Sequence, residues 1–159
     1  VFQTPVMMRR TVLQNIAYPL QVRGIKKAAA HEQAEAWAGR VGLGDSLRRD
    51  ATHLSGGERQ KLAIARALVI GPDVLLLDEP ATNLDGAATR EIEAILKNAH
   101  KNGATIIMAT HDIGQAKRLS SEVLFLHNGR LCEHSTSRRF FKKPESAPAQ
   151  AYLKGEIVE

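Results

Sequence analysis

A chain of 159 residues, 43% hydrophobic and 25% charged, is long enough to bury one core and too apolar to be disordered. Its net charge of +5 does not point to nucleic acid. The basic pairs Arg9-Arg10, Lys26-Lys27, Arg48-Arg49, Arg138-Arg139 and Lys142-Lys143 are scattered, and no aromatic residue interleaves with them. Solvated faces suit them best, with acidic lipid headgroups second. From Thr4 to Ala51 the chain reads mostly helical. A short helix starts at Thr11 and runs through Ala17, with Pro19 expected to limit it. A longer one, Lys26 to Val41, carries Ala30, Ala34, Trp37, Ala38 and Val41 on one stripe and ends near Gly42-Leu43-Gly44. Met7 and Met8 fit an adaptable docking surface or plain core equally well. His31 and His53 have no metal-ligand partner at useful spacing and read as ordinary surface or packing residues.

Leu54-Ser55-Gly56-Gly57-Glu58-Arg59-Gln60 comes next, leading into the helix formers Lys61 to Leu68. Ser55 is placed to cap that helix, and Glu58 completes a capping box. Two glycines at a helix mouth let backbone approach a ligand, and the N–H groups and dipole there favour an anion, phosphate above all. Gly71-Pro72-Asp73 breaks the helix, and Val74-Leu75-Leu76-Leu77 follows as a strand expected to be buried on both faces. It ends in Asp78-Glu79-Pro80. Carboxylates at the tip of such a strand are costly unless they meet a cation, a proton transfer or water. Asp78 fits a Mg²⁺-linked carboxylate, and Glu79 a general base acting on a water.

Beyond Ala81-Thr82-Asn83-Leu84-Asp85, Gly86 to Lys101 reads as a helix buried through Ile92, Ile95, Leu96 and Ala99, stopped by Asn102-Gly103. The strand ending at Ala109 delivers Thr110-His111-Asp112 to the edge where open α/β sheets place their chemistry. Residues 122–127 and 130–133 flank Asn128-Gly129, a two-residue hairpin signature. From Ser135 the tail is polar and basic, with a helical turn at Tyr152-Leu153. The single cysteine, Cys132, excludes an internal disulfide and fits a reducing compartment. No apolar run approaches the roughly 20 residues of a membrane span, and no secretory leader is visible.

The order of these motifs resembles the ATP-binding cassette (ABC) ATPases over essentially the whole chain. The resemblance implies an α/β fold: a P-loop NTPase (RecA-like) core with an inserted α-helical subdomain. It further implies that Ser55, Gly56, Gly57 and Glu58 form the signature, which covers the γ-phosphate of ATP held by a second subunit. Asp78 matches the Walker B aspartate, Glu79 the catalytic glutamate, Asp85 the D-loop aspartate and His111 the switch histidine that helps position the water. Val1-Phe2-Gln3 is similar to the Q-loop, whose glutamine (Gln3) contacts Mg²⁺ and the attacking water. ATP and Mg²⁺ are the implied cofactors.

One motif of the family does not occur: no Gly-x-x-x-x-Gly-Lys-Ser/Thr is present. The expectation is therefore a cassette truncated at its N-terminus, inactive alone and prone to expose sheet edges. The implied divisions are 1–4 Q-loop, 5–68 helical subdomain, 69–134 C-terminal part of the RecA-like core and 135–159 tail. The implied partners are a second ABC ATPase subunit in a homodimer, transmembrane permease subunits at the cytoplasmic face of the inner membrane and, indirectly, a solute-binding protein. Phe2 to Val12, Thr110 to Ala116 and the Phe-Phe ending resemble bacterial oxyanion importers, tungstate first, then phosphate and molybdate. Two other readings are a non-hydrolysing fragment that only docks to a partner and a soluble ABC ATPase of DNA repair or translation. The second would usually carry a coiled-coil insertion or a second cassette, and neither is visible.

Overall fold

The computed structural model describes residues 1–156 and divides the chain into two units, Val1–Ala109 and Thr110–Glu159. The last three positions of the expected 135–159 tail lie outside the described residues.

In the first unit α1 spans Val12–Val22 and opens on a reciprocal cap. Thr11 Oγ1 accepts from Gln14 N–H, and Gln14 Oε1 accepts from Thr11 N–H, both at 3.2 Å. Pro19 does not limit this helix but lies inside it. An interior proline costs about 3 kcal/mol. Val12, Ile16, Ala17 and Leu20 are all buried, and at about 1.5–3 kcal/mol for each large apolar side chain this burial outweighs the loss.

The second helix, α2, covers Lys27–Arg40 and presents Ala30, Ala34 and Ala38, each fully buried, towards α1. Side chains this small let the two backbones approach closely. Leu43 N–H bonds back to Ala38 and Gly42 N–H to Gly39, a Schellman ending that needs the left-handed φ of +70° at Gly42. Short 3₁₀ turns at Gly44–Ser46 and Ala51–His53 lead to α3, Gly56–Leu68. The core runs through all three helices, with Ile16, Val41, Leu43, Leu54 and Leu62 at its centre. Met7 packs against this core, while Phe2 and Val6 are exposed.

β1 (Val74–Asp78) pairs in parallel with β2 (Thr105–Ala109) from Val74↔Thr105 to Asp78↔Ala109, and α4 (Gly86–Lys101) connects them. The expectation that β1 is buried on both faces is corrected. Leu75 and Leu77 are buried, whereas Val74 is 50% and Leu76 61% exposed, and Ile107, the register partner of Leu76, is 53% exposed. Side chains alternate across a strand, and only one face of this two-stranded sheet is packed. On the far edge of β1 the Val1 nitrogen donates to Leu76 O at 2.7 Å, and Asp78 N–H donates to Val1 O at 2.9 Å. Residue 1 thus extends the ladder.

The second unit contains α5 (Ile113–Leu119), β3 (Glu122–His127), β4 (Arg130–Thr136), α6 (Ser137–Lys142) and α7 (Ala147–Lys154). The hairpin turns on Asn128 and Gly129, with φ of +48° and +71°. β4 runs three residues further than the expected 133, into the tail, because His134, Ser135 and Thr136 continue to pair with β3. Phe125 packs on Phe140 and Tyr152 with ring centroids at 5.7 and 5.4 Å. Buried Glu133 accepts from the N–H groups of Glu145 and Ser146 just before α7. Burial alone would raise its pKa. Those bonds, with one from Ser135, prevail and hold the carboxyl below its ordinary value.

Candidate functional site

The mouth of α3 is built by its own sequence. Ser55 Oγ accepts from Glu58 N–H at 3.3 Å, and Glu58 Oε2 accepts from Ser55 N–H at 2.8 Å. The other carboxylate oxygen meets Arg49 at 3.3 Å. Glu58 is therefore turned back on the start of its helix and shapes the turn instead of reaching outward. The Ser55 N–H bond holds its carboxyl below the ordinary range, and modest desolvation opposes this. Because the folded chain keeps Glu58 ionised to lower pH than the unfolded chain, its stabilisation is full above the ordinary carboxylate pKa. It is lost as pH falls through and below that range. Denaturant titrations between pH 7 and pH 3 should therefore show wild type losing roughly 1 kcal/mol more than Glu58→Gln. Parallel losses would deny Glu58 this role.

At the end of β1, Glu79 N–H still joins the ladder, donating to Ala109 O at 3.0 Å. Its φ is +47°, in the left-handed region that a glutamate adopts only at a cost of about 1–3 kcal/mol. Thr82 Oγ1 donates to Glu79 Oε2 at 2.8 Å. The chain then turns through Asn83, also left-handed at +62°, to Asp85, whose Oδ1 accepts from Ala87 and Ala88 N–H at 2.8 Å and caps α4.

The first turns of α3 and α4 touch. A Cβ added at Gly57 would lie 3.0 Å from Ala88 Cβ, and one at Gly56 would lie 3.5 Å from Leu84 Cδ2. Gly57 is needed for this approach, whereas a Cβ at Gly56 would make only an ordinary contact. Between the two helix mouths lies an open cleft of about 350 Å³, lined by Ser55, Gly56, Gly57, Glu58 and Asp85 together with Lys61 and Glu91. The structure thus brings the expected signature residues and Asp85 into one site.

Asp78 and Glu79 lie outside that lining. They sit at the C-terminal end of β1 beside the segment carrying Gln3, which is held there by the Val1–Asp78 bond and by Gln60 donating to Phe2 O at 3.5 Å. Asp78 and Gln3 are both exposed. Their oxygens are hard donors of the kind Mg²⁺ takes when phosphate oxygens complete its shell. Among the described residues no group of three or more His, Cys, Asp and Glu could hold a metal alone.

His111 belongs to the second unit and is exposed, and its carbonyl accepts from Tyr152 Oη at 2.9 Å. Asp112 caps α5 through Gln115 N–H. The sequence reading gave no site role to Lys61, Glu91 or Tyr152. Lys61 was detectable, since it stands one turn from Gly57 on the same face. Glu91 and Tyr152 acquire their places only by packing.

A family profile described as ABC transporter matches residues 1–82. Among curated proteins, the chain is 39% identical over 149 residues to a histidine/lysine/arginine/ornithine transport ATP-binding protein of Salmonella typhimurium, covering 92% of this chain and 58% of that protein. It is 39% identical over 145 residues to an arginine transport ATP-binding protein of Bacillus subtilis, covering 91% and 60%. With a phosphate import ATP-binding protein of Mycoplasma pneumoniae it shares 39% over 160 residues, covering 98% and 48%. The chain therefore spans between about half and three-fifths of the length of these relatives.

Proposed function

The chain belongs to the ABC transporter family, and on that premise we propose that it acts within an ATP-hydrolysing, nucleotide-binding subunit that powers an importer. That family carries the P-loop NTPase fold, and β1–α4–β2 is a parallel strand–helix–strand piece suited to it. The observation that carries the proposal is the separation of two sets of residues. Signature and D-loop share one cleft, and that cleft leaves out Asp78 and Glu79. Such a division suits a pair of subunits, in which each cleft closes over ATP held by the other. The helix mouths and the Gly56-Gly57 backbone would face the γ-phosphate. Asp78 and Gln3 would hold Mg²⁺, which when bound neutralises phosphate charge. Glu79 would take the water's proton, and His111 would steady the phosphate. The division into Q-loop 1–4, helical subdomain 5–68, core 69–134 and tail 135–159 belongs to the same reading.

The partners of this proposal are a second cassette, transmembrane permease subunits and, through them, a solute-binding protein, with the ATPase peripheral at the cytoplasmic face. Among the described residues no helix is long and apolar enough to cross a membrane. For the solute we propose an oxyanion, tungstate first. The phosphate import relatives support that class, and the amino-acid transport relatives supply the competing one. Uptake of labelled tungstate, phosphate and arginine by cells with and without the gene decides between them: selective loss of arginine uptake would overturn the oxyanion assignment.

No Gly-Lys-Ser or Gly-Lys-Thr occurs in the 159 residues, so ATP phosphates have no Walker A cradle within them. Calorimetry of this chain with Mg-ATP should therefore show no tight site, only the weak, salt-sensitive contact that an open cleft can make. Tight one-to-one binding would overturn the assignment of the cleft to ATP held elsewhere.

A further inference from the structure

Lys61 is the one cation among the residues that line the cleft, and its surroundings are unusual for a surface lysine. Its side chain is 12% exposed, and its ammonium donates to Glu91 Oε2 on α4 at 2.8 Å. Glu91 is 57% exposed, so a sheltered cation is held by a carboxylate that stands mostly in water. The ammonium also lies near the close of α2, where a Cβ at Gly42 would be 3.6 Å from Nζ. Neither of the other carboxylates at the cleft takes its hydrogen bond, although Glu58 feels its charge. Glu58 is engaged by Ser55 N–H and Arg49, and Asp85 by Ala87 and Ala88 N–H.

From these contacts we infer that Lys61 is a phosphate-contacting residue of the cleft, held in reserve by Glu91. The inference rests on the reading of the cleft as the site that covers a polyphosphate. Lys61 stands four residues beyond Gly57, on the same face of α3, and helical side chains lean towards the N-terminus. When a polyphosphate enters between the helix mouths, the ammonium exchanges Glu91 for a phosphate oxygen. A half-exposed ion pair contributes little, whereas a polyphosphate offers several charged acceptors at once. Glu91 therefore acts as a brake: it parks the lysine when the cleft is open, and its charge resists anions that bind weakly.

The test is a titration of this chain, ¹⁵N-labelled, with sodium tripolyphosphate at low salt, following the Gly56 and Gly57 amide resonances. Lys61→Met should weaken binding about tenfold and Lys61→Arg should largely restore it. Glu91→Gln should tighten binding by about threefold. Lys101→Met, at the exposed end of α4, should leave the midpoint unchanged. If the two glycine amides respond with the same midpoint in wild type, Lys61→Met and Glu91→Gln, the role of Lys61 is overturned and the cleft reading stands. If they respond in none of the proteins, the cleft reading falls and the inference with it.

Discussion

Under the proposed function, a complete cassette carrying Glu79→Gln should bind ATP as wild type does and lose hydrolysis by a factor of about 100 or more. A positioned general base contributes 10²–10⁴-fold, and glutamine keeps the shape while losing the proton acceptor. The local geometry favours a clean result. Glu79 is held in a left-handed backbone conformation at the end of a paired strand, with Thr82 Oγ1 on its carboxylate. A glutamine oxygen can accept the same bond, so the turn into Asn83 and Asp85 should persist. The measurement is single-turnover hydrolysis alongside nucleotide affinity. An unchanged turnover would remove Glu79 from the base role, and a large fall in affinity would mean that the substitution had disturbed the site instead of the chemistry.

Asn15→Ala should destabilise the first unit by about 3–4 kcal/mol, comparable to emptying a large core position. Asn15 is fully buried. Its amide nitrogen lies 3.1–3.2 Å from the carbonyls of Met8, Arg10 and Thr11, and its oxygen accepts from Met8 N–H and Arg66. Arg66 also donates to Val6 O at 2.9 Å. One side chain thus fixes the loop between Gln3 and α1 and ties it to α3. Truncation would leave several buried polar groups without partners, and each such group costs about 1–3 kcal/mol. Urea denaturation should show an earlier midpoint at an unchanged slope. A shift smaller than about 1 kcal/mol would mean that water replaces the amide at little cost.

Both predictions stand on features that differ in how far the sequence revealed them. Glu79 was visible because two carboxylates after four apolar residues have few inexpensive explanations. Asn15 was invisible, because a lone asparagine in a helix carries no local sign of burial. The hairpin was legible through Asn128-Gly129, since few other residues accept a left-handed φ at both positions. Pro19 misled, because local propensity counts the lost hydrogen bond and not the burial that outweighs it.

What the sequence determined by itself is local or periodic. It placed the Ser55–Glu58 cap, the alanine stripe of α2, the end of β1 at Asp78-Glu79 and the order of motifs that marks the family. These follow from spacing along one chain, where neighbours three or four residues apart must meet. Tertiary structure decided the rest: that β1 is packed on one face, that α3 and α4 touch at Gly57 and Ala88, and that Lys61 reaches Glu91 thirty residues away. Such contacts depend on how apolar surfaces from distant segments are buried together, and no single window of sequence contains both partners.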